Sequence, residues 1–122
     1  MQILLKILKN GKIEIMEVPL DDPELKASDP RVVNYKGSDY LTTLSHLRAV
    51  CSTDGIHFTE PEIPILLSGN GNLEQFGIED CRISKIEDTF YLNYTAVSGN
   101  GVAVGLRTTK DWKIFEEKGI II

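Results

Sequence analysis

The sequence of 122 residues is poor in the side chains that mark specialised classes of protein. It has only two cysteines and two histidines. Cys51 and Cys81 are too few for a disulfide framework, and neither belongs to a Cys-x-x-Cys pair. Together with the histidines they make no zinc-ligand set. Two reduced thiols in a cytoplasmic protein are the resulting expectation. No apolar run is long enough to span a bilayer, so no membrane partner is expected. The stretch from Met1 to Leu8 is interrupted by Lys6 and lacks a small-residue cleavage site, which argues against a secretion signal. Basic residues are outnumbered, 13 against 18 acidic, for a net charge of -5. An acidic surface repels phosphodiester backbones, so nucleic acid is not expected as a partner. One small anion in a local cationic cleft remains compatible with that charge. Helical periodicity is missing as well. No segment keeps an apolar period of 3.6 residues for three turns, and Lys110 to Lys118, the nearest, fits an edge strand equally.

What is present suits a packed β domain. Apolar residues make up 42% of the chain and charged residues 25%, which argues against disorder. Asn10-Gly11 breaks the run from Ile3 to Val18. Both central positions of a type I′ turn need positive φ, which Asn-Gly supplies easily, so a hairpin is expected over residues 1–20. Asp21-Asp22-Pro23 and Ser28-Asp29-Pro30 then deny a helix room. Strand-like runs and turns alternate from there. Arg31–Tyr35, Tyr40–Ser45, Leu47–Cys51 and Ile56–Phe58 come first; Ile83–Ile86, Thr89–Thr95, Val102–Arg107 and Trp112–Phe115 follow. The glycine-bearing segments Gly69-Asn70-Gly71 and Gly99-Asn100-Gly101 are too short for phosphate-cradling loops and read as tight turns.

Laid against itself, the sequence repeats. Asp29-Pro30-Arg31-Val32 matches Asp80-Cys81-Arg82-Ile83, and at the same offset Tyr40-Leu41 falls on Tyr91-Leu92. Further on, Ser52-Thr53-Asp54 and Phe58 match Thr109-Lys110-Asp111 and Phe115, with the extra residues placed in the turn at 98–101. The period is just over fifty residues. Strand, turn, strand, turn, strand, Asp-turn and short strand suit one blade of a β-propeller. The two units are placed at 29–60 and 80–117. Two blades do not close a propeller, so the domain spanning 1–122 is expected to be incomplete, either a piece of a longer chain or a part that completes itself as a homo-oligomer.

The residues Phe76-Gly77-Ile78-Glu79-Asp80-Cys81-Arg82-Ile83 resemble the Gly-Val-Glu-Asp-Pro-Arg-Ile motif of glycoside hydrolase family 130. Tyr91 to Ser98 is similar to that family's next strand. Ser45-His46-Leu47-Arg48-Ala49 with Ser52-Thr53-Asp54-Gly55-Ile56-His57-Phe58 resembles its preceding blade. The resemblance runs from about residue 29 to the last residue, and the stretch Tyr40 to Arg48 looks closest to the branch acting on β-1,2-linked mannose. It implies an all-β fold, part of a five-bladed propeller. It implies action on β-linked manno-oligosaccharides, by phosphorolysis that releases α-mannose 1-phosphate or, in some members, by hydrolysis. No cofactor or metal is implied; inorganic phosphate would be the co-substrate. Cys81 stands where the family usually has proline, which loosens the turn, and the blades expected to carry most phosphate-binding residues would lie beyond residue 122.

Cleaving a glycosidic bond needs a proton for the departing oxygen, and an Asp or Glu is the usual donor. The resemblance makes Asp80 that acid, with the proton passing through a substrate hydroxyl and the nucleophile inverting the anomeric carbon. The alternative for Asp80 is a turn residue that caps its blade. Glu79 either tunes the acid and holds substrate hydroxyls or is a solvated carboxylate. Arg82 should share a strand face with Asp80 if the strand is extended there; it binds sugar or pairs with a carboxylate. Arg48 and His46 share one strand parity and would line the mannose subsite, His46 alternatively as a plain polar contact. Asp29, the counterpart of Asp80, contacts sugar or serves structure. Tyr94 is a stacking platform or packs between blades, and Trp112 reads as core. Two other readings stay open: a non-catalytic fragment that binds carbohydrate or self-associates, and a propeller glycosidase of another family such as an arabinanase.

Overall fold

The structure, a computed structural model, describes residues 1–9, 12–29, 32–41 and 43–122. The Asn10-Gly11 turn, the Pro30-Arg31 part of the first repeat and the side chain of Asp29 lie outside the described residues. Every regular element described is a strand, and every ladder between named strands is antiparallel. The expected all-β class holds.

β1 (Gln2–Lys9) and β2 (Lys12–Pro19) pair along their whole length, from Gln2↔Pro19 to Lys9↔Lys12, which is the expected hairpin. β3 (Leu25–Asp29), β4 (Val32–Tyr35) and β5 (Ser38–Leu41) form a three-stranded sheet in chain order. The hairpin packs on this sheet because alternation brings Leu5, Val18 and Val33 together, each 1% exposed, with Met16, Leu25, Tyr35 and Tyr40 around them. Burying a side chain of this size contributes about 1.5–3 kcal/mol, so these three hold the first half of the chain.

β6 (Leu47–Arg48) and β7 (Leu66–Leu67) make a short pair. β8 (Gly77–Ile86), β9 (Thr89–Ser98), β10 (Gly101–Thr109) and β11 (Phe115–Ile120) make a four-stranded meander in chain order. Ile78, Tyr94 and Ala96 are buried at its centre, and Leu47, Leu67 and Cys81 pack against them. The short pair therefore sits on the meander, and the two units touch there. At the outer end Trp112 lies edge-on to Phe90 and Phe115, with ring centroids 5.1 and 6.0 Å away. It is half-buried there rather than part of the main core.

Positions matched in the two halves of the sequence share backbone detail. Lys36 (φ 51°), in the turn joining β4 to β5, has its counterpart in Glu87 (φ 55°), between β8 and β9. Asp54 Oδ1 accepts from the N–H groups of Ile56 and His57, both at 2.8 Å; Asp111 Oδ1 accepts from those of Lys113 and Ile114, both at 2.9 Å. The hydroxyl oxygens of Ser52 and Thr109 accept from the N–H three residues on, Gly55 at 2.8 Å and Trp112 at 3.0 Å. Gly55 (φ 75°) and Trp112 (φ 58°) both take the left-handed conformation there. Tryptophan bears a strain of roughly 1–2 kcal/mol in that region, which the three hydrogen bonds accepted by Thr109 and Asp111 offset.

The copies differ in their outer parts. Ile56–Phe58, expected as a strand, belongs to the Asp54 turn, and only the isolated bridge Cys51↔Thr59 follows the fourth-strand course of β11. The expected third strand, Leu47–Cys51, shortens to β6 and that bridge. The prolines at 61 and 64 explain the difference, since each removes a ladder donor. The segment closes instead through Leu66–Leu67 onto β6.

Candidate functional site

Glu79 and Asp80 lie near the start of β8, where the ladder to β9 slips. Glu79 pairs with Thr95 and Arg82 with Asn93, so two residues, Asp80 and Cys81, oppose Tyr94 alone. This is a β-bulge, with Asp80 left-handed at φ 53°. Asp tolerates that conformation better than most residues because its short polar side chain suits it. The strand is thus not extended at this point. The expectation that Asp80 and Arg82 share a face through simple alternation fails for that reason, since a bulge resets the parity.

The bulge leaves Asp80 exposed, and among the described residues its carboxylate has neither a hydrogen bond nor an ion pair. Arg82 is exposed and turns back on the bulge, its Nη1 3.4 Å from the carbonyl oxygens of both Asp80 and Cys81. It pairs with no carboxylate among the described residues. Cys81 is half-buried against the Ile78–Tyr94–Ala96 cluster. Burial pushes its thiol pKa up, partly opposed by the Arg82 charge.

A second segment meets this one. Ser45 makes a parallel bridge to Gly77: its N–H donates to Phe76 O at 3.3 Å, and Ile78 N–H donates to Ser45 O at 3.1 Å. The Ser45 hydroxyl donates to Glu79 Oε2 at 2.8 Å. His46 and Arg48, on the following residues, are therefore carried beside the start of β8. His46 is exposed and makes no hydrogen bond among the described residues. Arg48 is exposed and forms an ion pair with Glu60. Only Arg48 lies within β6; His46 precedes the strand.

Tyr94 stands elsewhere in chemical terms. It is 3% exposed, its hydroxyl donates to Glu74 Oε1 at 2.6 Å, and the Arg107 guanidinium lies over its ring, 5.3 Å from the centroid. A Cβ on Gly105 would come within 2.4 Å of that ring, so glycine is what leaves space for it. Burial, with the Glu74 carboxylate adding to it, drives the Tyr94 pKa far above the usual tyrosine value. Arg107 Nη2 also reaches Glu74 Oε2 at 3.1 Å and Ser68 O at 2.8 Å. Glu74, Tyr94 and Arg107 form one buried polar cluster behind the bulge. The sequence offered a signal for it only in the small residue Gly105, which lies opposite Tyr94.

Two open clefts, of about 490 and 770 Å³, lie outside this region. The first runs along the meander from Tyr91 to Asp111, and the second lies between Ile63–Leu67 and Trp112–Phe115; Asp80 lines neither. No group of three or more His, Cys, Asp or Glu residues that could hold a metal occurs among the described residues. No helix among them is long and apolar enough to cross a membrane.

Antiparallel sheets, one of which presents an adjacent pair of carboxylates on a bulge with Arg82 turned back on it, define an all-β protein with an exposed polar candidate site. Comparison with known proteins narrows this. The model of glycoside hydrolase family 130, described as β-1,4-mannooligosaccharide phosphorylase, matches residues 45–122. The chain belongs to that family. It is 44% identical over 117 residues to a β-1,2-mannobiose phosphorylase of Listeria innocua, a match covering 93% of this chain and 33% of that protein. A 1,2-β-oligomannan phosphorylase of a Thermoanaerobacter species is 32% identical over 86 residues, 68% of this chain and 29% of the relative. The solved structure of the Listeria innocua enzyme in complex with β-1,2-mannobiose superposes with a TM-score of 0.83 at 38% identity, over 99% of this chain and 36% of that one. The chain thus spans about a third of the length of the relatives it matches.

Proposed function

We propose that the protein is a phosphorylase of β-1,2-linked manno-oligosaccharides, with Asp80 as its general acid, and that its two repeat units are blades of a five-bladed propeller. The observation that carries the reading is the bulge: it presents an exposed carboxylate, without a partner among the described residues, within the segment that matches the family. The linkage follows the two phosphorylase relatives, both named for 1,2-linked substrates.

The chemistry follows from what each group can do. Departure of a sugar alkoxide is slow without a proton, and Asp80 supplies it through a substrate hydroxyl. Phosphate attacks the anomeric carbon from the opposite face and inverts it, giving α-mannose 1-phosphate without a covalent sugar–enzyme intermediate. A phosphate nucleophile needs donors and cations to hold it rather than a base. Glu79 and His46 face substrate hydroxyls, and Arg48 and Arg82 supply positive charge at the same site. Asp29 takes part as the counterpart of Asp80 in the first unit. Tyr94, whose hydroxyl is already committed to Glu74, supports the bulge from behind. The free thiols of Cys51 and Cys81 suit a reducing, cytoplasmic setting. Exposed apolar side chains such as Ile56, Ile63 and Ile114, each more than two-thirds exposed, suit faces that pack on further blades or on another copy.

The test is incubation with β-1,2-mannobiose with and without inorganic phosphate. Mannose 1-phosphate formed only when phosphate is present supports the proposal. Release of free mannose alone, at the same rate without phosphate, overturns phosphorolysis in favour of hydrolysis, and no cleavage under either condition overturns the enzyme reading.

A further inference from the structure

We infer that Ser45 is a positioning residue, fixing the Glu79 carboxylate beside the acid and coupling the strand of one repeat unit to the site of the next. This rests on the proposed function and deepens it. Ser45 is locked before its side chain is considered. Its backbone bridges Gly77 through the two hydrogen bonds to Phe76 and Ile78. Gly77 sits at φ 105°, and a Cβ there would fall 2.1 Å from Ser45 O, so the two backbones are as close as glycine allows. The structural tie between the units is thus made by main chain. The hydroxyl is surplus to that tie and is spent on Glu79 Oε2 at 2.8 Å.

The target of that hydroxyl decides its meaning. Ile78, fully buried, points into the core, so its neighbour Glu79 faces the opposite side, half-buried, on the residue before Asp80. A glutamate side chain loses considerable rotamer freedom when held, and a charge-assisted hydrogen bond from a backbone-locked serine holds it in advance. Oε2 is engaged, while Oε1 accepts no hydrogen bond among the described residues. The free oxygen is left for a sugar hydroxyl. Ser45 also directly precedes His46, so the main-chain bridge to Gly77 carries the His46–Arg48 segment beside the Glu79–Asp80 bulge.

The experiment is a double-mutant cycle of Ser45→Ala and Glu79→Gln, with Ser45→Thr as the hydroxyl-retaining variant, on turnover of β-1,2-mannobiose with phosphate. Ser45→Ala is expected to lower kcat about tenfold, the scale of one lost hydrogen bond to a charged group, with little change in KM. Ser45→Thr should recover most of that loss, and in the Glu79→Gln background Ser45→Ala should add nothing. Independent, multiplying effects of the two substitutions, or full kcat in Ser45→Ala, overturn the inference while the phosphorylase reading stands. A wild-type protein inert toward mannobiose and phosphate overturns that reading, and with it the role of Ser45 in the reaction.

Discussion

The Tyr94 hydroxyl donates to Glu74 Oε1 across 2.6 Å, joining the centre of the meander to the loop that leads into the bulge. Glu74 is 7% exposed, and its second oxygen accepts from Asn70 N–H at 2.7 Å and from Arg107 Nη2 at 3.1 Å. One buried carboxylate therefore ties three parts of the chain together. A charge so placed is tolerated only because donors surround it. Arg107 Nε is the one buried side-chain donor left without a partner among the described residues.

Removing the hydroxyl tests this arrangement. Tyr94→Phe keeps the ring that fills the space above Gly105 and deletes only the bond to Glu74. Hydrogen bonds to charged groups contribute about 1.5–3 kcal/mol, so a loss of that size is expected. Urea unfolding followed through the single tryptophan, Trp112, measures it. Arg107→Met should cost more, about 3–5 kcal/mol, because it strands the Glu74 charge. Equal stability of wild type and Tyr94→Phe would show that Glu74 is satisfied without tyrosine.

Much of this was legible in the sequence, for identifiable reasons. Asp54 and Asp111 announce their turns because an Asp side chain bonds the backbone two and three residues on, whatever surrounds it. The hairpin follows from its turn residues, but its buried face does not: the alternation Lys12-Ile13-Glu14-Ile15 points to Ile13 and Ile15 as core, and both are exposed while Val18 on the other face is buried. Local rules stop at the bulge. An inserted residue reverses which side chains share a face, and nothing in Glu79-Asp80-Cys81-Arg82 alone says where the ladder slips, so the condition for Arg82 to share a face with Asp80, an extended strand, is not met. The ladder partner of Leu47, Leu66–Leu67, lies across a proline-broken segment where neither alternation nor turn chemistry sets a register. The roles of Ser45 and Glu74 were hidden for the same reason: each acts on a residue distant in sequence.

At Gly77 the start of β8 lies directly against the Ser45 backbone. Gly77→Ala places a Cβ 2.1 Å from Ser45 O and 2.6 Å from Ser45 N, backbone atoms that cannot rotate aside. The φ of 105° adds strain of its own for any L side chain. A destabilisation beyond about 3 kcal/mol is expected, in the range reserved for steric and backbone failures. Gly101→Ala is the informative control. It shares a φ of 104° but has no atom near the added Cβ, so its smaller loss isolates the strain from the clash. Thermal unfolding of both variants reads the difference, and equal losses would remove the close approach as a cause.

Asp80→Asn separates chemistry from fold. Asparagine accepts the left-handed conformation as readily as aspartate, and the exposed side chain has no partner to lose among the described residues. Stability should stay within about 0.5 kcal/mol of wild type. Without an acid the departing oxygen leaves unprotonated, so kcat for mannobiose phosphorolysis should drop by about 10²–10⁴. Near-normal turnover with an unchanged unfolding curve would remove Asp80 from the acid role and leave it as a bulge residue.

The buried tyrosine also sets an alkaline limit. Tyr94 has its folded pKa raised far above the unfolded value of 10.0, by burial first and by the Glu74 carboxylate second. Below pH 10 both states carry the phenolic proton and the shift has no effect. Above it the unfolded chain ionises while the folded one holds its proton, so the unfolded state binds fewer protons and stability falls as pH rises. The decline should begin near pH 10 and continue until the folded phenol itself titrates. Lysines and the other tyrosines add their own slopes, which are common to both proteins when wild type is compared with Tyr94→Phe. Urea midpoints measured from pH 8 to 11 should therefore converge, the wild-type advantage shrinking above pH 10. Parallel curves across that range would mean that the Tyr94 proton is no harder to remove in the folded protein than in the unfolded chain.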